Sequence, residues 1–115
     1  MRFMVMVMSG AESDEDFQPS TASLTEMTKF NARLLAEDRI VLAGGLTPSS
    51  EGAQVWFDGD AEPRVVDGPF AETKELVAGF WILNGESMED VVELMKQAPN
   101  PDNTGGVVEI RALDS

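Results

Sequence analysis

The sequence contains no cysteine, no histidine and no tyrosine. Without cysteine there is no disulfide, thiol nucleophile or thiolate metal ligand. Without histidine, the commonest nucleophile–base pairs, histidine ligation of haem and the usual zinc sites are excluded as well. We therefore expect no cofactor and no metal site, and any chemistry has to come from Asp, Glu, Lys, Arg, Ser, Thr, Trp and main-chain groups.

Positive charge is also scarce, with 8 basic against 21 acidic residues and a formal net charge of −13. Such a surface repels phosphate backbones and anionic lipid, so we expect neither nucleic-acid binding nor membrane docking. No apolar run approaches the roughly 20 residues of a membrane span. The apolar start of the chain leads into the acidic residues 12–16 without a cleavage site, which indicates a buried strand of a soluble, cytoplasmic protein rather than a signal peptide.

At 115 residues the chain has room for one hydrophobic core, so we predict a single domain over residues 1–115. Apolar periodicity and turn residues predict alternating strands and helices. The predicted strands cover residues 2–8, 40–43, 53–57, 63–66, 79–83 and 107–113. The predicted helices cover about residues 23–37 and 87–98.

Apolar residues at helical spacing define the faces that the two helices should bury. The first helix is predicted to open at the capping-box pattern from Ser23 to Glu26. Its stripe consists of Leu24, Met27, Asn31, Leu34 and Leu35. The stripe of the second helix, which Ser87 caps, consists of Met88, Val91, Val92, Met95 and Ala98.

Two strand–helix–strand halves predict an α+β fold: a ferredoxin-like antiparallel sheet with two helices on one face. A β-hairpin, turning at Asp58-Gly59-Asp60, is inserted between the halves. The first strand is apolar on both sides, with Phe3, Val5 and Val7 facing one way and methionines the other. Because two helices cover one face only, the other would expose Met or Trp side chains, and we expect a second subunit to bury it in a homodimer.

One motif stands out, the run Asp67-Gly68-Pro69-Phe70-Ala71-Glu72-Thr73-Lys74-Glu75. Gly68 precedes a proline, a restricted position that glycine tolerates, and Pro69 fixes the backbone. Phe70 is apolar enough to anchor the segment. On these grounds alone the motif is a rigid connection with a solvated rim.

This run resembles the signature of the DGPF (DGPFAETKE) proteins within the YCII-related superfamily. The likeness extends to residues 42–46, 78–82 and 105–111, and so covers essentially the whole chain. It implies a ferredoxin-like fold paired into a dimeric α+β barrel. In YCII proteins a histidine–aspartate pair has been proposed as an active site, and one relative carries out dehydrochlorination. This chain has no histidine, so that pair is absent and whether it is an enzyme stays open.

We predict a small-molecule site in a cleft beside the sheet, near the motif. Asp67 is the candidate general base, a role that would require its burial. Lys74 or Arg111 would hold an anionic group, and Phe70 or Trp81 would form an apolar wall. For Arg111 the alternative is an ion pair with Glu109 on the same strand face. The candidate ligand-binding residues are Gly68, Pro69, Phe70, Glu72, Lys74, Trp81 and Arg111.

A regulatory or interaction module is the alternative function. Proteins of the family are often encoded near, or joined to, extracytoplasmic-function sigma factors, and an acidic surface could meet such a partner by electrostatic steering. Cofactor-free monooxygenases share the fold, an analogy of fold alone. Carboxylates at residues 12–16 and at Asp58 and Asp60 lack the loop length of a calcium site, which favours a solvated loop and a turn.

Overall fold

The structure, a computed structural model, describes residues 1–9, 21–68, 76–99 and 106–114. Within them the strands are β1 (Arg2–Ser9), β2 (Ile40–Gly45), β3 (Ala53–Trp56), β4 (Arg64–Asp67), β5 (Leu76–Asn84) and β6 (Val107–Ala112). The helices are α1 (Thr21–Ala36) and α2 (Met88–Met95), and a 3-10 turn covers Ser49–Glu51.

Four strands form the main sheet in the order β2-β5-β1-β6, with every neighbouring pair antiparallel. Each half of the chain contributes a strand, a helix and a second strand, and the two halves interleave in this order. The arrangement is α+β and consistent with a ferredoxin-like fold, as predicted. Strands β3 and β4 pair separately into a two-stranded antiparallel sheet, the β3–β4 ribbon.

The core lies between the two helices and one face of the main sheet. Cross-strand neighbours place side chains in rows, because directly paired residues of antiparallel strands point to the same side. One row pairs Val5 with Trp81, and the next pairs Phe3 with Leu83. The helices complete this buried cluster, which consists of Phe3, Val5, Phe30, Leu34, Trp81, Leu83, Val91, Leu94 and Met95.

The opposite side of the sheet has no helix over it in the described part of the chain. It carries Met4 beside Ile82 and Met6 beside Phe80, all half-buried, as strand alternation predicts. We call this surface the open face; its apolar residues are Met4, Met6, Met8, Leu42, Phe80, Ile82 and Val107. At its β6 edge it also carries Glu109 and Arg111, which pair with Met6 and Met4. The methionines were predicted here, whereas Trp81 belongs to the helix-covered side.

Helix α1 begins at Thr21, so Ser23 lies in its first turn, and the prediction that a capping box starts the helix there was wrong. Leu34 is fully buried and Met27 packs against the core, as expected. The expectation of burial was wrong for Leu24 and Leu35, which are exposed. Leu35 lies off the stripe that meets the sheet, which is centred on Leu34 and the unpredicted Phe30, whereas Leu24 borders the open space between α1 and the sheet.

The end of α1 is closed by backbone bonds that set the direction of the chain into β2. The N–H of Arg39 donates to the carbonyl of Leu34 at 2.8 Å, and the N–H of Asp38 donates to that of Leu35 at 3.0 Å. Asp38 has a φ of 57°, the left-handed conformation that such a helix end requires. Arg39 thereby leaves the helix directly before the first strand residue, Ile40.

Three further boundaries differ from prediction. Strand β5 starts at Leu76, three residues before the predicted start. The second strand, predicted over residues 40–43, extends to Gly45, because Gly44 and Gly45 pair with Phe80 and Gly79 of β5. In α2 the buried residues include Leu94, while Met88 is exposed and Ala98 lies beyond the helix end at Met95. The buried stripe of this helix therefore starts one turn later than its apolar spacing indicated.

Candidate functional site

A cavity of about 350 Å³ lies between α1 and the end of the sheet formed by β2 and β5. Helix α1 contributes Leu24, Met27 and Asn31 to its lining, and the strands contribute Val7 and residues 43–45 and 78–81. Most of these groups are apolar side chains or glycines. The cavity therefore has the size and character of a site for a small organic molecule.

The cavity exists because one cross-strand row of the sheet ends toward β2 in two glycines, which have no side chains. On the helix-facing side this row runs from Val108 through Val7 to Gly79 and Gly45. A Cβ added at Gly45 would meet nothing within 4 Å, so the space above that residue is open. The two paired glycines thus leave a volume that α1 does not fill.

Trp81 forms the inner wall of the cavity and is held in one orientation. Its Nε1 donates a hydrogen bond of 2.8 Å to Oδ1 of Asn31, and only 4% of the residue is exposed. Its ring meets that of Phe30 edge to face, with centroids 6.1 Å apart and an interplanar angle of 81°. Such aromatic pairs prefer this geometry. The helix and the sheet are therefore joined at the cavity by a polar bond and a ring contact.

No described lining residue carries a titratable side chain. Among these residues, Asn31 has a polar side chain that can bond to a ligand. The indole N–H of Trp81 is the other polar side-chain group, and it already donates to Asn31. An amide of this kind orients a ligand but does not transfer protons near neutral pH. What the described geometry supports chemically is binding of a mostly apolar molecule.

Of the predicted motif, the structure describes Asp67 and Gly68. Asp67 ends β4 with its side chain exposed and does not line the cavity. The N–H of Gly68 donates to the carbonyl of Gly52 at 3.0 Å, and a Cβ at Gly68 would overlap the carbonyl oxygen of Ser49. Close backbone approach therefore requires glycine at position 68. The predicted site residues Pro69, Phe70, Glu72 and Lys74 lie outside the described residues.

The other two predicted site residues lie on separate strands. Trp81 lines the cavity, where it was expected to form an apolar wall. Arg111 lies on β6, is largely exposed and has its Nη1 3.7 Å from Oε2 of Glu109. The ion pair weighed as the alternative for Arg111 is therefore present, and Arg111 does not line the cavity that Trp81 borders.

A second hollow lies at the other end of the sheet, around Arg39 and Asp90. Oδ2 of Asp90 accepts from Nη2 of Arg39 at 2.8 Å and from the N–H of Glu86 at 3.0 Å. The bond from Glu86 is the main cause that lowers the pKa of the Asp90 carboxyl, and the Arg39 charge adds to it. Ser87 accepts from the N–H of Asp90 at 3.1 Å and so caps α2 as predicted. The contacts in this hollow hold the first turn of α2 to the segments beside it, and we assign the hollow a structural role.

Metal ligands do not cluster in the part of the chain that is described: no group of three or more Asp or Glu side chains there could hold an ion. The main-chain carbonyl of Asp58 accepts from the N–H of Ala61 at 3.1 Å, and the adjacent Gly59 has a φ of 55°. These residues therefore form the predicted turn. Residues 12–16 lie outside the described ranges.

Sequence reasoning missed three residues that define the cavity: Asn31, Gly45 and Gly79. Asn31 was counted in the helical stripe without a role, although an amide between apolar positions is itself a signal of a buried polar contact. Gly45 was expected just after the second predicted strand and Gly79 at the start of a buried strand, and neither was given a role. Their pairing, which creates the space, depends on the register between β2 and β5 and is not visible locally.

A four-stranded antiparallel sheet, two helices on one face and a ligand-sized cavity between them define the class of this protein, an α+β domain consistent with a ferredoxin-like fold. The family model of the YCII-related domain matches residues 1–114, so the chain belongs to the YCII-related domain family. The superfamily indicated by the sequence motif is thereby confirmed.

The chain is also similar to an uncharacterised protein of Rhizobium meliloti (strain 1021), with 36% identity over 52 residues. The aligned stretch covers 45% of this chain and 42% of the relative. The chain thus spans about two fifths of the length of that curated relative. Among the described residues, no helix is both long and apolar enough to cross a membrane.

Proposed function

We propose that this protein binds a small, mostly apolar molecule in the cavity between α1 and the β2–β5 end of the sheet. The observation that carries the proposal is the row in which Gly79 and Gly45 replace side chains beneath α1. A volume of about 350 Å³ beside a fixed tryptophan lies within the usual range for ligand sites.

The position of the cavity also links it to the predicted site. Ala78 and Gly79 line it, a few residues after the motif that ends at Glu75. Trp81, a candidate wall residue, borders it directly. We therefore retain the prediction of a small-molecule site and assign it to this cavity. Assignment to the DGPF group within the family is part of the same proposal.

A neutral fluorescent dye, N-phenyl-1-naphthylamine, is a direct probe of the cavity. We expect it to bind the wild-type protein with enhanced emission, and to lose at least about tenfold in affinity in Gly45→Phe. The new ring would enter open space, since nothing lies within 4 Å of a Cβ there. Gly106→Phe is the matched control, because a Cβ at Gly106 also meets nothing and the residue does not line the cavity.

Equal dye binding by the two phenylalanine variants and the wild-type protein would show that the cavity is not the site. Native mass spectrometry of protein purified from its own host supplies an independent check. A mass increment of a few hundred daltons that Gly45→Phe lacks is the expected result. An increment present in both proteins would place the bound molecule elsewhere.

The predicted role of Asp67 as a general base is a separate part of this proposal. Its support is the motif alone. The Asp67 carboxylate is exposed and does not line the cavity, whereas the role calls for burial, and residues 69–75 lie outside the described ranges. The test is Asp67→Asn, compared with the exposed Asp60→Asn in the nearby turn. If Asp67→Asn changes neither ligand affinity nor any detected turnover, the assignment is wrong.

We further propose that two copies pair through their open faces, as the prediction of a dimeric α+β barrel requires. The support is the unpartnered apolar surface of Met4, Met6, Phe80 and Ile82, which continues to exposed Leu42 at the edge. Exposed apolar patches mark association sites, and a two-fold axis would make each face the complement of the other.

The β3–β4 ribbon favours a second candidate function, an interaction module. Val55 and Val65 are paired across the ribbon and both exposed, and Phe57 is 80% exposed. Trp56 is also half exposed, and the guanidinium of Arg64 lies 5.5 Å from its ring centroid. An apolar ribbon next to acidic residues would suit a basic protein partner, the proposed one being an extracytoplasmic-function sigma factor.

The interaction role is tested with a purified sigma factor of this class from the same host. Phe57→Ser should weaken its binding at least about tenfold, whereas Leu35→Ser, a change at a similarly exposed apolar residue of α1, should not. Absence of binding by the wild-type protein at low salt would exclude this partner.

A further inference from the structure

We infer that the molecule bound in the cavity is uncharged and carries a hydrogen-bond acceptor, such as a carbonyl oxygen, that receives an N–H of Asn31. This inference rests on the proposed function and adds the class of ligand to it. It follows from which atoms of Asn31 and Trp81 already take part in a hydrogen bond.

The orientation of the Asn31 amide is fixed by its neighbour. An indole N–H can only donate, so the Asn31 atom 2.8 Å from Nε1 of Trp81 has to be the oxygen. Reversing the amide would bring two donors face to face. The remaining terminal atom of the Asn31 amide is therefore Nδ2. Its two protons have no acceptor among the described residues.

The residues that line the cavity around Asn31 then determine which polar groups a bound ligand carries. Asn31 borders the cavity, and no described lining residue is charged. A ligand ion would give up hydration there without an opposite charge to replace it. An uncharged molecule with an acceptor gains a hydrogen bond from Nδ2 and places its apolar part against Met27 and Trp81.

Three naphthalene derivatives of similar size separate these possibilities on the wild-type protein: 2-acetylnaphthalene carries an acceptor, 2-ethylnaphthalene carries no polar group, and 2-naphthoate is an anion. Affinities are measured by equilibrium dialysis. We expect 2-acetylnaphthalene to bind about fivefold more tightly than 2-ethylnaphthalene, the value of one ordinary hydrogen bond, and 2-naphthoate to bind most weakly. In ¹⁵N-labelled protein the Nδ2 proton resonances of Asn31 should shift with the ketone and not with the hydrocarbon.

Asn31→Asp supplies the matched variant. A carboxylate still accepts from Trp81 but has no N–H to donate, so the preference for the ketone should disappear. The wild-type comparison does not depend on the folding of this variant. Equal affinities for the ketone and the hydrocarbon, or tightest binding of 2-naphthoate, would overturn the ligand class while leaving the cavity as a site. If none of the three compounds binds, the proposed function fails and this inference fails with it.

Discussion

Nη2 of Arg39 lies 2.8 Å from Oδ2 of Asp90, and this ion pair joins the segment before β2 to the first turn of α2. Nε of the same arginine donates to the carbonyl of Asn84 at the end of β5, at 2.9 Å. One side chain thereby ties two strand ends to a helix start. Its partner is about a third exposed, so solvent reduces the strength of the pair without removing it.

Asp90→Ala is expected to lower the free energy of unfolding by about 1–2 kcal/mol, because Arg39 and the N–H of Glu86 both lose their acceptor. Urea denaturation measures the loss. The control is Glu93→Ala, which removes an ion pair with Lys96 that is about two-thirds exposed on both sides. Its effect should stay within about 0.5 kcal/mol. Equal losses in the two variants would contradict the structural role assigned to the hollow around Asp90.

The same carboxylate makes stability depend on pH in a defined direction. Because folding lowers the pKa of Asp90, its stabilising effect is fully present above about pH 4, the ordinary range of an aspartate, and is lost as pH falls through the lower folded value. The difference in unfolding free energy between wild-type protein and Asp90→Asn should therefore shrink below about pH 4. Urea midpoints measured down to about pH 2 test this, and a constant difference would refute it.

Gly68→Ala should destabilise the protein by at least about 2 kcal/mol, because the added methyl group would overlap the backbone of Ser49. Relief requires the chain at Gly68 to move, which would break its hydrogen bond to Gly52. Thermal or urea unfolding measures the effect. The control substitution, Gly106→Ala, enters open space and should change stability by no more than about 0.5 kcal/mol.

Met6→Glu should convert the proposed dimer into a monomer, because it would place a charge in the middle of the open face beside Phe80. Sedimentation velocity should give twice the chain mass of 12.5 kDa for wild-type protein and the single mass for the variant. Leu35→Glu, on the exposed side of α1, should remain dimeric. A monomeric wild-type protein at micromolar concentration would disprove pairing through this face.

Periodicity was sufficient to predict the main sheet and both helices, and it assigned the two sides of β1 correctly. Phe3 and Val5 are buried and the methionines lie on the open face because strand alternation is a strict geometric rule. Helix faces were less accurate. Leu35 is exposed since the direction in which α1 meets the sheet depends on tertiary packing, and Leu24 is exposed because it borders the open cavity.

The candidate site was predictable only in part. Trp81 was selected because an aromatic residue in a buried strand is a natural wall, and it does border the cavity. Asn31 lies 50 positions away in the chain, and its bond to Trp81 exists only after α1 has docked. The space above Gly45 likewise depends on its pairing with Gly79, so local signals alone could not locate it.

The paired glycines have a consequence for the divergence of this family. The capacity of the cavity depends on two backbone positions that can be changed differently: a side chain at Gly45 has free room, whereas a Cβ at Gly79 would come within 3.2 Å of the Gly44 carbonyl oxygen. Mutation can therefore enlarge the residue at position 45 step by step without rebuilding the sheet. We expect relatives with Ala, Val or Leu at that position to keep the fold and accept progressively smaller ligands.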